Sequence, residues 1–375
     1  MSKFRMQILT HLIAPVWVVL SITQVVNAAD PSFLSKLHDL DTIVSTIPAN
    51  GDINPYGVAV VPVTMGKLVA NNVLVSNFNN AGNLQGTGTT IVQISPGGNP
   101  SLFATFATID ATSLPGACPG GVGLTTALVA LRSGFVIVGS LPTKDGMAAT
   151  AQAGCLIVLD SNGTPVTTIS GNGINGPWDM TALDNDTQAT LFVTNVLNGT
   201  VDANGAVVSQ GSVLRIVLST PLNGTPTPML PFTTIASTFG ERTDPNALVI
   251  GPTGLGLSGD GTLYVADTLQ SRIAAIPKAI SRTEDAHDGI TIAEGRAIKM
   301  PLGLALAPNG NILTVNAANG LIVETTRGGQ QVNARFIDVS HSRNGAGTLF
   351  GLAVASDGSS VYCVDDGNNT LTVLQ

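Results

Sequence analysis

Charge is what this chain has least of. Asp, Glu, Lys and Arg make up only 11% of its 375 residues, less than half the usual share. A surface so poor in charge must be covered by Asn, Thr, Ser and Gly, which suits exposed sheet and loops and argues against a bundle of solvated helices. Acidic residues outnumber basic ones by 24 to 16, so nucleic acid is not expected as a partner. Histidine is almost as scarce. His11 sits in the apolar N-terminal stretch and His38 precedes the repeats described below, which leaves only His287 and His341. Catalytic zinc takes about three protein ligands, so two histidines do not make a site. No Gly-x-Ser-x-Gly elbow occurs and no cysteine has an evident histidine partner, so a complete set for nucleophilic catalysis is also missing. The calcium-like fragments "DSNG" (Asp160–Gly163) and "VDANG" (Val201–Gly205) lack a downstream bidentate carboxylate and read as turns. No metal and no cofactor is expected.

Glycine, by contrast, is plentiful, with 42 residues. The stretch "GPTGLGLSGDGTLYVAD", Gly251 to Asp267, contains the spacing of a dinucleotide fingerprint at Gly254, Gly256 and Gly259. That fingerprint needs a helix to begin at its last glycine, so that a pyrophosphate can sit on free N–H groups. Here Asp260-Gly261, a hairpin signal, is followed by the β-rich run Leu263-Tyr264-Val265. The stretch is a hairpin.

It also repeats. "MPLGLALAPNGNILTVNAANGLIVET" from Met300 and "LFGLAVASDGSSVYCVDDGNNTLTVL" from Leu349 share its order of glycine, apolar strand, tight turn, apolar strand, Asp or Asn, apolar strand. Looser copies begin at Asn54, Thr125 and Gly176. Aligning the polar residue that closes the second strand gives Asn77, Ser140, Asn195, Asp267, Asn316 and Asp365, the last three spaced 49 residues apart. Units of about 40 to 50 residues with several strands each are the signature of propeller blades. The fold class expected is all-β, a six-bladed β-propeller over residues 41–375, after a leader at 1–28 and an N-terminal extension at 29–40. The final unit runs out of chain after three strands. The segment Asp41–Ile47, "DTIVSTI", is expected to supply the missing outer strand and close the ring, because an open sheet edge invites aggregation.

The leader reading rests on Lys3 and Arg5, an apolar stretch from Leu12 to Val26 and the small-residue pattern Val26-Asn27-Ala28, the layout of a secretory signal peptide. Its removal leaves 14 basic against 24 acidic residues, a net charge of −10. A secreted or periplasmic protein meets an oxidising space. Cys118 precedes the first strand of the second blade and Cys155 opens its third, so a Cys118–Cys155 disulfide is plausible, the alternative being two free thiols. Cys363 reads as a small buried hydrophobe.

"PTGLGLSGDGTLYVADTLQSRI", Pro252 to Ile273, resembles an NHL repeat, and the array is similar to the six-bladed propellers of the NHL and gluconolactonase-like superfamily, most closely over blades 4 to 6. The resemblance implies a functional face where the loops between second and third strands emerge together with the blade-to-blade connections. Gluconolactonase-like enzymes place Glu, Asn and Asp metal ligands just before or at the glycine that starts each inner strand. The matching positions here are Tyr56, Trp178, Thr253, Leu302 and Phe350, with blade 2 too divergent to align. These are poor ligands for a hard cation, which wants several oxygens. Asp179, in place of the inner-strand glycine of blade 3, is the single carboxylate near the pattern. The loops after the second strands are long in blades 1 to 3 and short in blades 4 to 6, and the segments Phe239–Gly251 and Ser281–Met300 read as charged blade-to-blade loops. An uneven rim around Tyr56, Trp178, Asp179, Arg242, Thr253 and Phe350 is the shape of a pocket for a small molecule, a peptide or a protein. Two plainer readings stay open: aromatics that plug the channel, and an Asp179 that accepts from backbone amides. The expected function is a secreted, monomeric binding module. The alternative is a lactonase- or lyase-like enzyme with a divergent site built on Asp179, Arg242 and His341.

Overall fold

The computed structural model describes residues 32–97, 103–245, 247–337 and 349–375. The predicted leader and His341 lie outside the described residues. Alternating apolar runs broken by Gly, Asn and Asp turns form antiparallel strands, and these assemble into six sheets. Blade 1 takes Ile53–Val60, Val73–Asn79, Thr90–Ile94 and Phe103–Thr108; blade 2 takes Leu124–Ala130, Val136–Ser140, Leu156–Leu159 and Pro165–Ile169. Blade 4 begins at Pro252–Leu257, blade 5 at Pro301–Leu306 and blade 6 at Leu349–Val354. Each first strand is the inner edge of its sheet and packs against the first strands of its two neighbours, so the six edges surround an axis. Among the described residues no helix is long and apolar enough to cross a membrane.

The ring closes with the N-terminal strand. Leu40–Ser45 pairs antiparallel with Thr370–Leu374, from Leu40 opposite Leu374 to Ser45 opposite Thr370. Residues just upstream, taken from sequence as part of an extension, are also built in. Phe33, Leu34 and Leu37 are buried in the core shared by blades 5 and 6. Their backbone is held by Glu324, whose carboxylate accepts from Ser32 Oγ at 2.6 Å, Phe33 N at 2.8 Å and Leu34 N at 2.9 Å. Cys118 and Cys155 form a disulfide with Cα atoms 5.1 Å apart. It spans 37 residues, enough to restrict the unfolded chain by about 3 to 4 kcal/mol. Cys363 is buried and free.

The repeat's two marker residues have separate physical reasons. A Cβ at Gly303 would stand 2.1 Å from the Phe350 carbonyl oxygen, one at Gly351 2.3 Å from that of Tyr56, and one at Gly254 2.4 Å from that of Leu302. Adjacent inner strands converge so tightly there that only glycine fits. The polar residues that close the second strands are all buried. Asn77 donates to the Thr46 carbonyl, Asn175 N donates to Asn195 Oδ1, and Asn316 donates to the Ala297 carbonyl, each tying a strand end to the incoming connection. Asp267 binds Arg272 at 2.8 Å and Asp365 accepts from Asn368 at 2.8 Å, each bracing its own short loop.

Two expected loops are strand. In blade 3, after Pro177–Asp184 and Gln188–Asn195, the third strand runs Val208–Ser219 and the fourth Thr227–Asp244; the latter then pairs with Leu248–Ile250. The segment Phe239–Gly251 is therefore the tip of an extended sheet. Likewise Ser281–Met300 contains Ile290–Glu294, the outer strand of blade 4. That strand is largely solvent-facing, so its sequence carries little of the apolar alternation that marks buried strands. Residues before it pack along the outside of blade 3, with Ala286 N donating to the Ile235 carbonyl and Ser237 N to the His287 carbonyl. Glu284, Asp285 and Asp288 thus belong to the flank of the ring.

Candidate functional site

The inner-strand starts meet at the axis. Tyr56 stacks on Phe350 with ring centroids 3.7 Å apart and on Phe78 at 4.5 Å, while Trp178 meets Tyr56 and Phe78 edge-on at 5.9 and 5.7 Å. All four rings are buried. Edge-to-face and offset contacts of this kind add about 0.5 to 1.5 kcal/mol per pair beyond area burial. Burial, with the charge of Asp366 adding to it, pushes the Tyr56 phenol well above its ordinary value. This aromatic layer lies across the axis and divides the six residues that sequence grouped at one mouth.

On the side away from the long loops is a channel of about 340 Å³, lined by all six inner strands and floored by Trp178, Thr253, Leu302 and Phe350. Its walls are chiefly Val, Leu and Ala, together with the unpaired backbone edges that inner strands present. Asp179 stands at the floor. Its carboxylate reaches the neighbouring blade and accepts from Leu255 N at 2.9 Å, while its own amide donates to Thr194 Oγ1 at 3.0 Å. The residue is half-buried and lines the channel. Burial raises its carboxyl to about 7, against the opposing pull of the Met180 and Leu255 amides. Asp184, also from the inner strand of blade 3, lines the same channel. Its oxygens are occupied by the backbone amides of Arg132 at 2.6 Å and Asp186 at 3.0 Å.

On the loop side of the layer a smaller pocket of about 240 Å³ is lined by Trp178 and Phe350 with Leu302, Met300, Arg242 and Asp244 among others. Arg242 is held by Asp244 at 2.9 Å. Its neighbour Glu241 is fully buried, and neither carboxylate oxygen has a hydrogen-bond partner. Burial lifts that carboxyl to about 8, and the Asn198 backbone amide only partly opposes the rise.

Thr253 is buried, and its hydroxyl sits among the Ala266, Pro301 and Leu302 carbonyls and the Thr268 hydroxyl, where it staples blade 4 to blade 5. Arg242 and Asp179 stand on opposite sides of the aromatic layer. His287 is exposed beside Asp285 on the flank. Among the described residues no group of three or more His, Cys, Asp and Glu is placed to hold a metal ion.

Two contributors escaped the sequence. Thr126 is the blade 2 counterpart of Tyr56 and Trp178: its carbonyl abuts Gly57, and its hydroxyl donates to the Trp178 carbonyl. The signal was Ala127 standing where blades 1, 4, 5 and 6 carry glycine, in "TTALVAL". Phe78, from the second strand of blade 1, completes the stack, and no repeat position marked it.

No protein-family model matches the chain, and no curated protein matches it in sequence. Solved structures match it in shape. A gluconolactonase from Xanthomonas campestris is 14% identical, with 91% of each chain covered and a TM-score of 0.56. A luciferin-regenerating enzyme is 11% identical, covering 90% of this chain and 95% of the other, with a TM-score of 0.55. A streptogramin B lyase is 14% identical, covering 90% and 97%, with a TM-score of 0.51. The fold is that of the gluconolactonase-like six-bladed propellers.

Proposed function

We propose that this protein is an exported small-molecule-binding module that takes its ligand into the axial channel from the face opposite the long loops. The observation that carries this reading is the cavity of about 340 Å³ lined by all six inner strands. Its size, its chiefly Val, Leu and Ala side chains and the few polar side chains set among them are those of a small-molecule site. Catalysis has less to work with. General acid–base chemistry needs groups placed on both sides of a reacting centre, and the other titratable side chain lining the channel, Asp184, is occupied by backbone amides. Export is proposed from the leader-like N-terminus and from the Cys118–Cys155 disulfide, a bond that persists in oxidising compartments.

Trp178 floors the channel, and the only other tryptophan is Trp17 in the leader. Small apolar probes titrated into the leader-less protein should therefore change Trp178 emission saturably. Narrowing the channel with Ala182→Phe should abolish the response. Probe binding with unchanged affinity in that variant would sink the reading.

A further inference from the structure

We propose that the ligand of this channel is an organic cation, an ammonium group on an apolar body, seated with its charge against the carboxylate of Asp179. The inference rests on the channel reading and adds the ligand's chemical class. Asp179 and Asp184 line the cavity, and among the described residues no Lys, Arg or His does. Arg242, which lines the loop-side pocket, is separated from the channel by Trp178 and Phe350 and is already paired with Asp244. The carboxylate of Asp179 therefore stands at the end of a tube of apolar side chains and open backbone edges, with the Leu255 and Met180 amides for company and, among the described residues, no counter-charge. A carboxylate in that setting is costly to keep ionised unless something positive joins it.

The elements packed around Asp179 add no other charge. Thr194 comes from the second strand of its own blade, Thr253 and Leu255 from blade 4, and the inner strand of blade 2, Leu124–Ala130, which packs on the other side, carries no titratable side chain. Asp184 has its hydrogen bonds already made, with the exposed Arg132–Asp186 pair beside it at 4.0 Å. A hard divalent ion is a poorer fit, because it asks for six or more oxygens and a single carboxylate is present at the floor. An ammonium needs fewer partners. Asp179 and the inner-strand carbonyls supply acceptors, and the Val and Leu walls take the apolar body.

The carboxyl's raised value supports the same reading. With a midpoint of about 7, Asp179 is mostly neutral at pH 6 and mostly ionised at pH 8. An ammonium ligand, charged at both, should bind about tenfold more tightly at the higher pH, in proportion to the competent fraction.

The test compares hexylammonium with hexanol, its uncharged isostere, by calorimetry and Trp178 fluorescence on the leader-less protein. Hexylammonium should bind at least tenfold more tightly than hexanol at pH 8 and lose most of that advantage at pH 6. In Asp179→Asn both probes should still bind, and should bind alike at both pH values. Equal binding of both probes to the parent, or a preference that survives in Asp179→Asn, overturns the cation assignment while leaving the channel reading intact. Binding of neither probe overturns both.

Discussion

Glu324 and Asp179 are both carboxylates taken out of bulk water, and they have opposite fates. Glu324 accepts five hydrogen bonds, three from the N-terminal segment and two from Asn309 and Asn311 at 3.1 and 2.6 Å. Burial alone would raise its carboxyl, but the donors from Ser32, Asn311, Leu34 and Phe33 outweigh that and hold it below the ordinary value. Asp179 receives one amide from the next blade and is pushed up to about 7. The contrast separates a structural group from one left available: Glu324 is ionised because the fold needs its charge, whereas Asp179 costs the fold something and faces a cavity.

The most damaging way to probe this contrast is Glu324→Ala. Five donors would lose their acceptor and the segment Ser32–Leu37 its anchor, a loss of about 3 kcal/mol or more measurable by denaturant unfolding. Glu324→Gln keeps the shape and should cost less. Because the folded value is lowered, the stability due to the charge is present above the ordinary carboxyl value and fades as pH falls through the folded one. The gap between parent and Glu324→Gln should therefore close in acid.

Glu241→Gln tests whether a buried carboxylate without partners behaves in the reverse sense. Its folded value is raised to about 8, so the parent loses stability from the ordinary value upward until about pH 8, then levels off. The variant should match the parent near pH 4 and melt at a higher temperature at pH 9. Asp179→Asn should show the same sign with a smaller gain that levels off at about pH 7, since solvent in the channel offsets part of the desolvation. A melting temperature lowered at pH 8 by Asp179→Asn would mean that this carboxylate stabilises the fold, and the contrast with Glu324 would collapse.

Much of this architecture was legible in the residues. The glycines at 254, 303 and 351 report inner strands too close for a Cβ, and the buried polar residues from Asn77 to Asp365 report the ends of second strands. The buried polar residue recurs in all six blades and the glycine in blades 1, 4, 5 and 6, so both appear as periodicity. The outer strand Ile290–Glu294 and the tip Leu248–Ile250 were not visible, because an exposed strand and a short cross-pairing need no apolar alternation. Tyr56, Trp178 and Phe350 share one repeat position, which sequence shows, but the side of the axis each candidate residue faces is not written there. Tyr56, Trp178 and Phe350 arrive from three blades, and nothing local to any of them states that their rings will meet and seal the axis.

Six similar units and a closing strand near the N-terminus follow from repetition, since each is imposed by backbone packing that every blade must satisfy, and Asp179 stands out in sequence as a departure from that repeat. Which side of the aromatic layer opens, that Asp179 looks into the open side without a counter-charge, and that Glu324 finds five donors depend on residues as many as 292 positions apart. Contacts between side chains that far apart along the chain leave no pattern in it, because they exist only once the ring has closed.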